Sequence, residues 1–99
     1  MSYEVRYTDR ARTDLVRLIE FLPDGDPALA ARVTENILKA TSMLESFPFS
    51  CRKAAPDSPF GRELIVPSGV SGYVALFEIR QSRVDILAIR HQRKDDYFD

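Results

Sequence analysis

Apolar and polar residues alternate at the start of the chain and then recur at helical spacing. Over Tyr3–Tyr7, Tyr and Val alternate with Glu and Arg, which predicts a strand with one face exposed to solvent. Thr8 or Asp9 can cap the helix that follows. The apolar residues of that helix fall on one face: Ala11, Leu15, Leu18, Ile19 and Leu22. We therefore predict an amphipathic first helix that ends at Pro23.

A second amphipathic stretch follows a segment of turn-forming residues. Residues 23–27 consist of proline, aspartate and glycine, and Asp26 followed by Pro27 is typical of an N-cap and a first helical position. The next apolar residues are spaced four and three apart: Val33, Ile37, Ala40, Leu44 and Phe47. This is the spacing of a seam between two packed helices. We predict that the two helices form a hairpin.

The segment from Pro48 to Gly61 has no periodicity, which predicts a surface loop. Phe47, Phe49 and Phe60 bracket this loop, and we expect them to pin it to the domain. Cys51 stands beside two basic residues, but no base or resolving cysteine accompanies it in the sequence, so a reactive thiol is not favoured.

Three closely spaced strands are predicted after the loop: Arg62–Val66, Tyr73–Ile79 and Val84–Ile89. The connections between them are short, which implies antiparallel neighbours. The helix hairpin must cover one face of the sheet to bury its apolar stripe. The predicted fold class is α+β in two layers, with the order β-α-α-β-β-β and a helix hairpin packed on a four-stranded, mainly antiparallel sheet. We expect one domain over residues 1–99.

Composition narrows the possible functions. Lys and Arg number 14 against 15 Asp and Glu, so the net charge of −1 disfavours broad nucleic-acid binding. One histidine and one cysteine cannot provide a zinc site or an internal disulfide, and we expect no metal and no cofactor. The N-terminus has charges where a signal peptide needs an apolar core, and no apolar run approaches the roughly 18 residues of a membrane span. These features predict a cytoplasmic protein.

Reactive side chains concentrate in residues 90–97, which read Arg-His-Gln-Arg-Lys-Asp-Asp-Tyr. Alternation along the last strand places Val84, Ile86, Ala88 and Arg90 on one face. The opposite face then carries Asp85, Leu87, Ile89 and His91. Arg90 and His91 are therefore expected to point apart, whereas an acid–base pair must converge on one substrate atom.

A ribonuclease would need a base, phosphate-binding cations and an acid. His91 could serve as base or acid and Tyr97 as a stacking or acidic group, with three arginines as phosphate clamps: Arg62, Arg80 and Arg90. In the competing structural interpretation, His91 bonds to the backbone and Tyr97 packs on the sheet edge. The arginines then pair with carboxylates of the sheet surface: Glu63, Glu78 and Asp85. No catalytic residue is favoured.

The cationic residues of the segment 90–97 could instead contribute to docking on a partner. Three aspartates follow them closely and cancel much of their field, so a mixed-charge docking surface is favoured over a nucleic-acid groove. The candidate docking residues are Arg90, His91, Arg93, Lys94 and Tyr97.

The order of elements, the Arg62-Glu63-Leu64 segment, the strand 73–79 and the ending Ile-Leu-Ala-Ile-Arg-His-Gln-Arg over 86–93 resemble the RelE/ParE superfamily of bacterial toxins from type II toxin–antitoxin modules. The resemblance covers nearly the whole chain. It implies one of two activities. RelE-type members are ribosome-dependent mRNA endonucleases and generally basic, whereas ParE-type members poison DNA gyrase.

The resemblance, together with a pI near 5.8, favours a ParE-like gyrase inhibitor that binds its target and performs no catalysis. The alternatives are a RelE-like endonuclease that uses the nuclease candidates above, and an inactive module member that only binds its antitoxin. The implied partner is a ParD-like antitoxin whose C-terminal segment folds across the helix hairpin and the sheet. The toxin would then contact operator DNA only indirectly, through the antitoxin, and would not contact membranes.

Overall fold

The computed structural model of the chain describes residues 2–69 and 71–93. The helices are α1 (Asp9–Glu20) and α2 (Pro27–Ser42). The strands are β1 (Glu4–Tyr7), β2 (Arg52–Lys53), β3 (Gly61–Ser68), β4 (Ser71–Arg80) and β5 (Arg83–His91). Short 3₁₀ turns occupy Pro23–Gly25, Met43–Glu45 and Pro48–Ser50.

The strands form one mixed sheet in the order β1-β5-β4-β3-β2, with β1 parallel to β5 and the other neighbours antiparallel. The two helices pack on one face of this sheet, which confirms the α+β class and the helix hairpin. The predicted number of four strands is wrong, because Arg52 and Lys53 pair with Glu63 and Arg62 and add a fifth strand inside the expected loop. Two residues are too few to show an alternating pattern in the sequence.

Both helices begin where the sequence predicts, because a side-chain oxygen caps each of them. The Thr8 hydroxyl accepts a hydrogen bond from the N–H of Ala11, and the Asp26 carboxylate accepts one from the N–H of Ala28. The predicted apolar stripes supply much of the core, in which Ala11, Leu18, Val33, Ile37 and Leu44 are buried. Neither helix can span a membrane within the described residues, since α1 has 12 residues and α2 has 16.

Phe47 departs from the predicted seam, since 65% of its surface is exposed. The α-helix ends at Ser42 and the chain tightens into the 3₁₀ turn Met43–Glu45. A 3₁₀ turn has about 3.0 residues per turn instead of about 3.6, so the apolar spacing no longer continues the same face. The seam therefore stops at Leu44.

Strand β5 contains a bulge that changes which residues share a face. Phe77 pairs with Ile86 but Leu76 pairs with Ala88, so Leu87 is an extra residue. Beyond this point the faces exchange. The helix-covered face carries Val84, Ile86, Ile89 and His91, whereas Ala88 and Arg90 share the outer face with Asp85. The predicted strict alternation is therefore wrong from Ala88 to His91, because a bulge has no fixed signature in the sequence.

Candidate functional site

Arg62 lies at the start of β3, where its guanidinium binds the chain itself. Nε donates to the carbonyl of Pro59 at 3.0 Å, and Nη1 donates to the carbonyls of Cys51 at 2.8 Å and Phe49 at 3.3 Å. The guanidinium carbon also lies 5.3 Å from the centroid of the Phe49 ring. These contacts hold the segment between Pro48 and Gly61 against β3, so Arg62 acts as a clamp on that segment.

Arg80 lies at the other end of the sheet from Arg90. Its Nη2 is 2.7 Å from a carboxylate oxygen of Glu78, and its Nε is 3.5 Å from Asp85. Arg90 pairs with Val74, which precedes Arg80 by six residues on β4. At about 3.3 Å per residue, the two arginines are attached about 20 Å apart. One phosphate group cannot be held by both of them.

Arg90 and His91 lie on opposite faces of the sheet. Arg90 pairs with Val74 on the outer face, and its Nη1 donates to the carbonyls of His91 and Gln92 at 3.3 and 3.4 Å. His91 pairs with Tyr73 on the helix-covered face, where the two rings meet edge to face with centroids 5.5 Å apart.

The Nδ1 atom of His91 already accepts a hydrogen bond from the N–H of Arg93 at 3.1 Å. The chain's own backbone therefore occupies one of the two nitrogens that could take a proton from a substrate. The side chain of Arg93 is exposed. Lys94 and Tyr97, the remaining candidates from the sequence, lie outside the described residues.

The outer face of the sheet carries charges that pair with one another. Arg83 contacts Asp85 at 3.0 Å, Arg52 contacts Glu63 at 3.1 Å, and Arg6 contacts Glu4. Of the three carboxylates that the sequence suggested as arginine partners, Glu63 pairs with Arg52, whereas Glu78 and Asp85 lie beside Arg80. This pairing leaves little excess positive charge on the outer face for an extended polyanion.

Two open grooves meet at Leu38, whose side chain is 48% exposed on α2. One groove, of about 780 Å³, follows the outer side of α2 past Ala31 and Glu35. The other, of about 560 Å³, lies between the hairpin and β1, next to Val5 and Leu15. In the sequence, the apolar stripes of the helices favour the core over a groove for a partner helix. The small and apolar residues on the other side of α2 were the available signal for a surface groove.

The phenylalanines of the segment 47–60 are not part of the buried core: Phe47 is 65% exposed, and Phe49 packs against the Phe60 ring and the Arg62 guanidinium. Phe49 and Phe60 are 47% and 55% exposed. The segment is held by buried Pro48, by Cys51, which packs against the core, and by Arg62.

Burial raises the pKa of the Cys51 thiol, although the Ser50 hydrogen bond and the Arg62 charge oppose that rise. Cys51 is thus a packing residue.

Metal-binding groups do not cluster in the part of the chain that the structure describes: no three His, Cys, Asp or Glu residues there are placed to hold an ion. The described nuclease candidates do not converge either. Arg62 binds loop carbonyls, Arg80 lies far from Arg90, and Arg90 and His91 face opposite sides. Acid–base catalysis requires groups within hydrogen-bond reach of one substrate.

Comparison with known proteins gives consistent matches over almost the whole chain. Residues 5–96 match the family described as the ParE toxin of the type II toxin–antitoxin system, parDE. The chain is 33% identical over 91 residues to Toxin RelE1 of Caulobacter vibrioides, which covers 92% of this chain and 95% of that protein.

Two solved structures share the fold. The chromosomal ParDE system from P. aeruginosa superposes with a TM-score of 0.72 at 18% identity, over 91% of this chain and 96% of that one. The RelBE2 toxin–antitoxin complex from Mycobacterium tuberculosis gives 0.58 at 28% identity, over 95% of each chain. With the family match over residues 5–96 and the Caulobacter relative, these likenesses establish that the chain belongs to the ParE family of toxins from type II toxin–antitoxin systems.

Proposed function

We propose that this toxin inhibits DNA gyrase by binding it, and thereby blocks replication, without catalysing a reaction of its own. The observation that carries the proposal is the dispersal of the candidate nuclease side chains. Arg62 is engaged by three backbone carbonyls, and Arg90 and His91 lie on opposite faces of the sheet. A ribosome-dependent nuclease would need such groups around one scissile phosphate.

Charge supports the same conclusion. The net charge is −1 and the pI is about 5.8, so the chain lacks the basic excess that ribosomal RNA surfaces attract. The outer sheet face pairs most of its arginines with carboxylates. A protein target such as gyrase suits this surface better than a polyanion.

A cognate ParD-like antitoxin is the second partner in the proposal. Its C-terminal segment would fold across the helix hairpin and the sheet, and the two grooves that meet at Leu38 offer it an apolar path. Folding on binding lets a short segment cover a large surface, so no deep pocket is needed for tight inhibition. Operator DNA would be contacted through the antitoxin.

The test is a gyrase supercoiling assay with the purified toxin, run beside a translating ribosome extract. We expect loss of supercoiling, accumulation of cleaved DNA complexes, and recovery of supercoiling when the antitoxin is added. Intact supercoiling combined with mRNA cleaved at the ribosome would refute gyrase inhibition. A chain that is inactive in both assays but binds the antitoxin would be an inactive module member.

A RelE-like mRNA endonuclease is the second candidate function, favoured by the 33% identity to Toxin RelE1. Its candidate residues remain Arg62, Arg80, Arg90, His91 and Tyr97. Replacing His91 by Ala separates the two functions. An acid–base role predicts a loss of mRNA cleavage of about 10²-fold or more, whereas a docking role predicts a modest change in gyrase inhibition.

A further inference from the structure

Two phenylalanine rings in the segment before β3 are about half exposed. Phe49 and Phe60 are 47% and 55% exposed, and their rings meet edge to face with centroids 6.4 Å apart at 72°. Apolar ring surface in contact with water is less favourable than the same surface buried, so burying these rings against a partner would lower the free energy. Adjacent exposed aromatic rings are typical of protein interfaces, where such residues supply much of the binding energy.

The rings are held in place before any partner binds. Arg62 lies over the ring of Phe49 and donates hydrogen bonds to the carbonyls of Phe49, Cys51 and Pro59. The carbonyl of Phe60 accepts a hydrogen bond from the N–H of Ile79 at 2.8 Å, which fixes its backbone to β4. A preformed surface loses less conformational entropy on binding than a mobile one.

Positive charge accompanies the rings. The segment 48–62 contains Arg52, Lys53 and Arg62 against a single carboxylate, Asp57, so its formal charge is +2 in a chain of net charge −1. Lys53 pairs with Arg62 across β2 and β3, which places both cations on the same face of the sheet. Arg52 lies on the other face and pairs with Glu63. A partner surface that complements this segment would therefore be apolar and bordered by acidic residues.

The position of this surface separates it from the hairpin grooves. Strand β2 forms one edge of the sheet and β1 forms the other. The groove bounded by Val5, Leu15 and Leu38 lies at the β1 edge. The Phe49–Phe60 pair lies at the β2 edge, because its segment leads into β3 and is clamped there by Arg62.

We propose that Phe49, Phe60 and Lys53, which we call the aromatic platform, form the surface through which the toxin docks on gyrase. The inference rests on the proposed function and adds a contact surface to it. The site on gyrase would be a protein surface with an apolar pocket and flanking carboxylates. RNA is a poorer occupant, because the chain has a net charge of −1 and lacks the basic excess that a polyanion attracts.

The test compares gyrase inhibition by the wild type, the double variant Phe49→Ala/Phe60→Ala, and the control Phe21→Ala, which removes a ring that is 76% exposed directly after α1. Thermal unfolding and antitoxin titration are measured on each protein, so that loss of folding is distinguished from loss of docking. We expect the double variant to need about tenfold more toxin or more for half inhibition, with unchanged antitoxin affinity, and the control to match the wild type.

Two charge-reversal variants provide a second test of the aromatic platform. Lys53→Glu should weaken inhibition, and the matched change Arg32→Glu, on an exposed position of α2, should not. Gyrase inhibition by the double variant at wild-type strength would overturn the platform and leave the proposed function intact. A wild type that does not inhibit gyrase would overturn both. Loss of ribosomal mRNA cleavage in the double variant would assign the rings to RNA and likewise overturn the platform.

Discussion

The carboxylate of Asp14, which is 1% exposed on α1, accepts a hydrogen bond from the backbone N–H of Ile89 at 3.0 Å. Strand β1 pairs with β5 only as far as Ile86, after which the chain turns into α1. The bulge at Leu87 and the end of β1 leave the edge of β5 without a neighbouring strand at Ile89. Asp14 supplies the acceptor that a strand would otherwise provide, because a buried N–H without a partner is costly.

Replacing Asp14 by Ala should therefore lower the free energy of unfolding by about 1–3 kcal/mol, since the buried N–H of Ile89 loses its acceptor. Asp14→Asn keeps an oxygen at the same place and should cost clearly less. Urea unfolding of both variants checks the difference. Equal stability of Asp14→Ala and the wild type would show that the hydrogen bond does not support the fold.

Gly72 allows β3 and β4 to approach closely. A Cβ atom at this position would lie 2.3 Å from the carbonyl oxygen of Val66, which is backbone and cannot move aside. Gly72→Ala should thus lower the free energy of unfolding by about 1–3 kcal/mol. Gly61→Ala is the matched control, because its new Cβ would meet only the Ser58 side chain at 2.9 Å, and that side chain can rotate. A larger loss at Gly61 than at Gly72 in chemical unfolding would contradict this.

The phenol of Tyr7 predicts how stability changes at high pH. Burial raises the pKa of Tyr7 above its ordinary value of 10.0, against the hydrogen bond with Thr41, whose hydroxyl lies 2.5 Å away. The folded state therefore holds the proton more tightly than the unfolded state. This contribution to stability is complete below pH 10.0 and is lost as the pH rises through the higher folded pKa.

The melting temperature should accordingly fall as the pH is raised from below to above pH 10, and it should fall less in Tyr7→Phe than in the wild type. Burial also raises the pKa of Tyr73, so part of the decline should persist in the single variant. An identical decline in Tyr7→Phe and the wild type would rule out the contribution of Tyr7.

Arg62→Lys tests the clamp on the segment before β3. Lysine keeps the charge but cannot reproduce the guanidinium bonds to the carbonyls of Phe49, Cys51 and Pro59. The amide of Ala54, which bonds to the carbonyl of Gly61, should exchange its hydrogen about tenfold faster.

Arg52→Lys, at an exposed ion pair on the neighbouring strand β2, provides the control for the clamp and should leave this exchange rate nearly unchanged. If Arg62→Lys protected the Ala54 amide as well as the wild type does, the segment would be held by Pro48 and Cys51 without the clamp.

The predictions from sequence held where short stretches carry their own signal. The caps at Thr8 and Asp26, the apolar stripes of the helices, and the antiparallel pairing of β3, β4 and β5 were all correct. The family resemblance carried by residues 86–93 was also confirmed. The features that failed were β2, the strict alternation along β5, and the extension of the helix seam to Phe47.

The sequence by itself determined the element types, the fold class and the family, because capping residues, periodicity and turn residues act over a few neighbours along the chain. The tertiary structure decided which residues meet. It engaged Arg62 with loop carbonyls, placed Arg90 and His91 on opposite faces, brought Asp14 to Ile89, and left the Phe49–Phe60 pair exposed. Those outcomes depend on strand register, a bulge and backbone hydrogen bonds between distant segments. Local patterns do not specify such contacts, because each requires the rest of the fold to be in place.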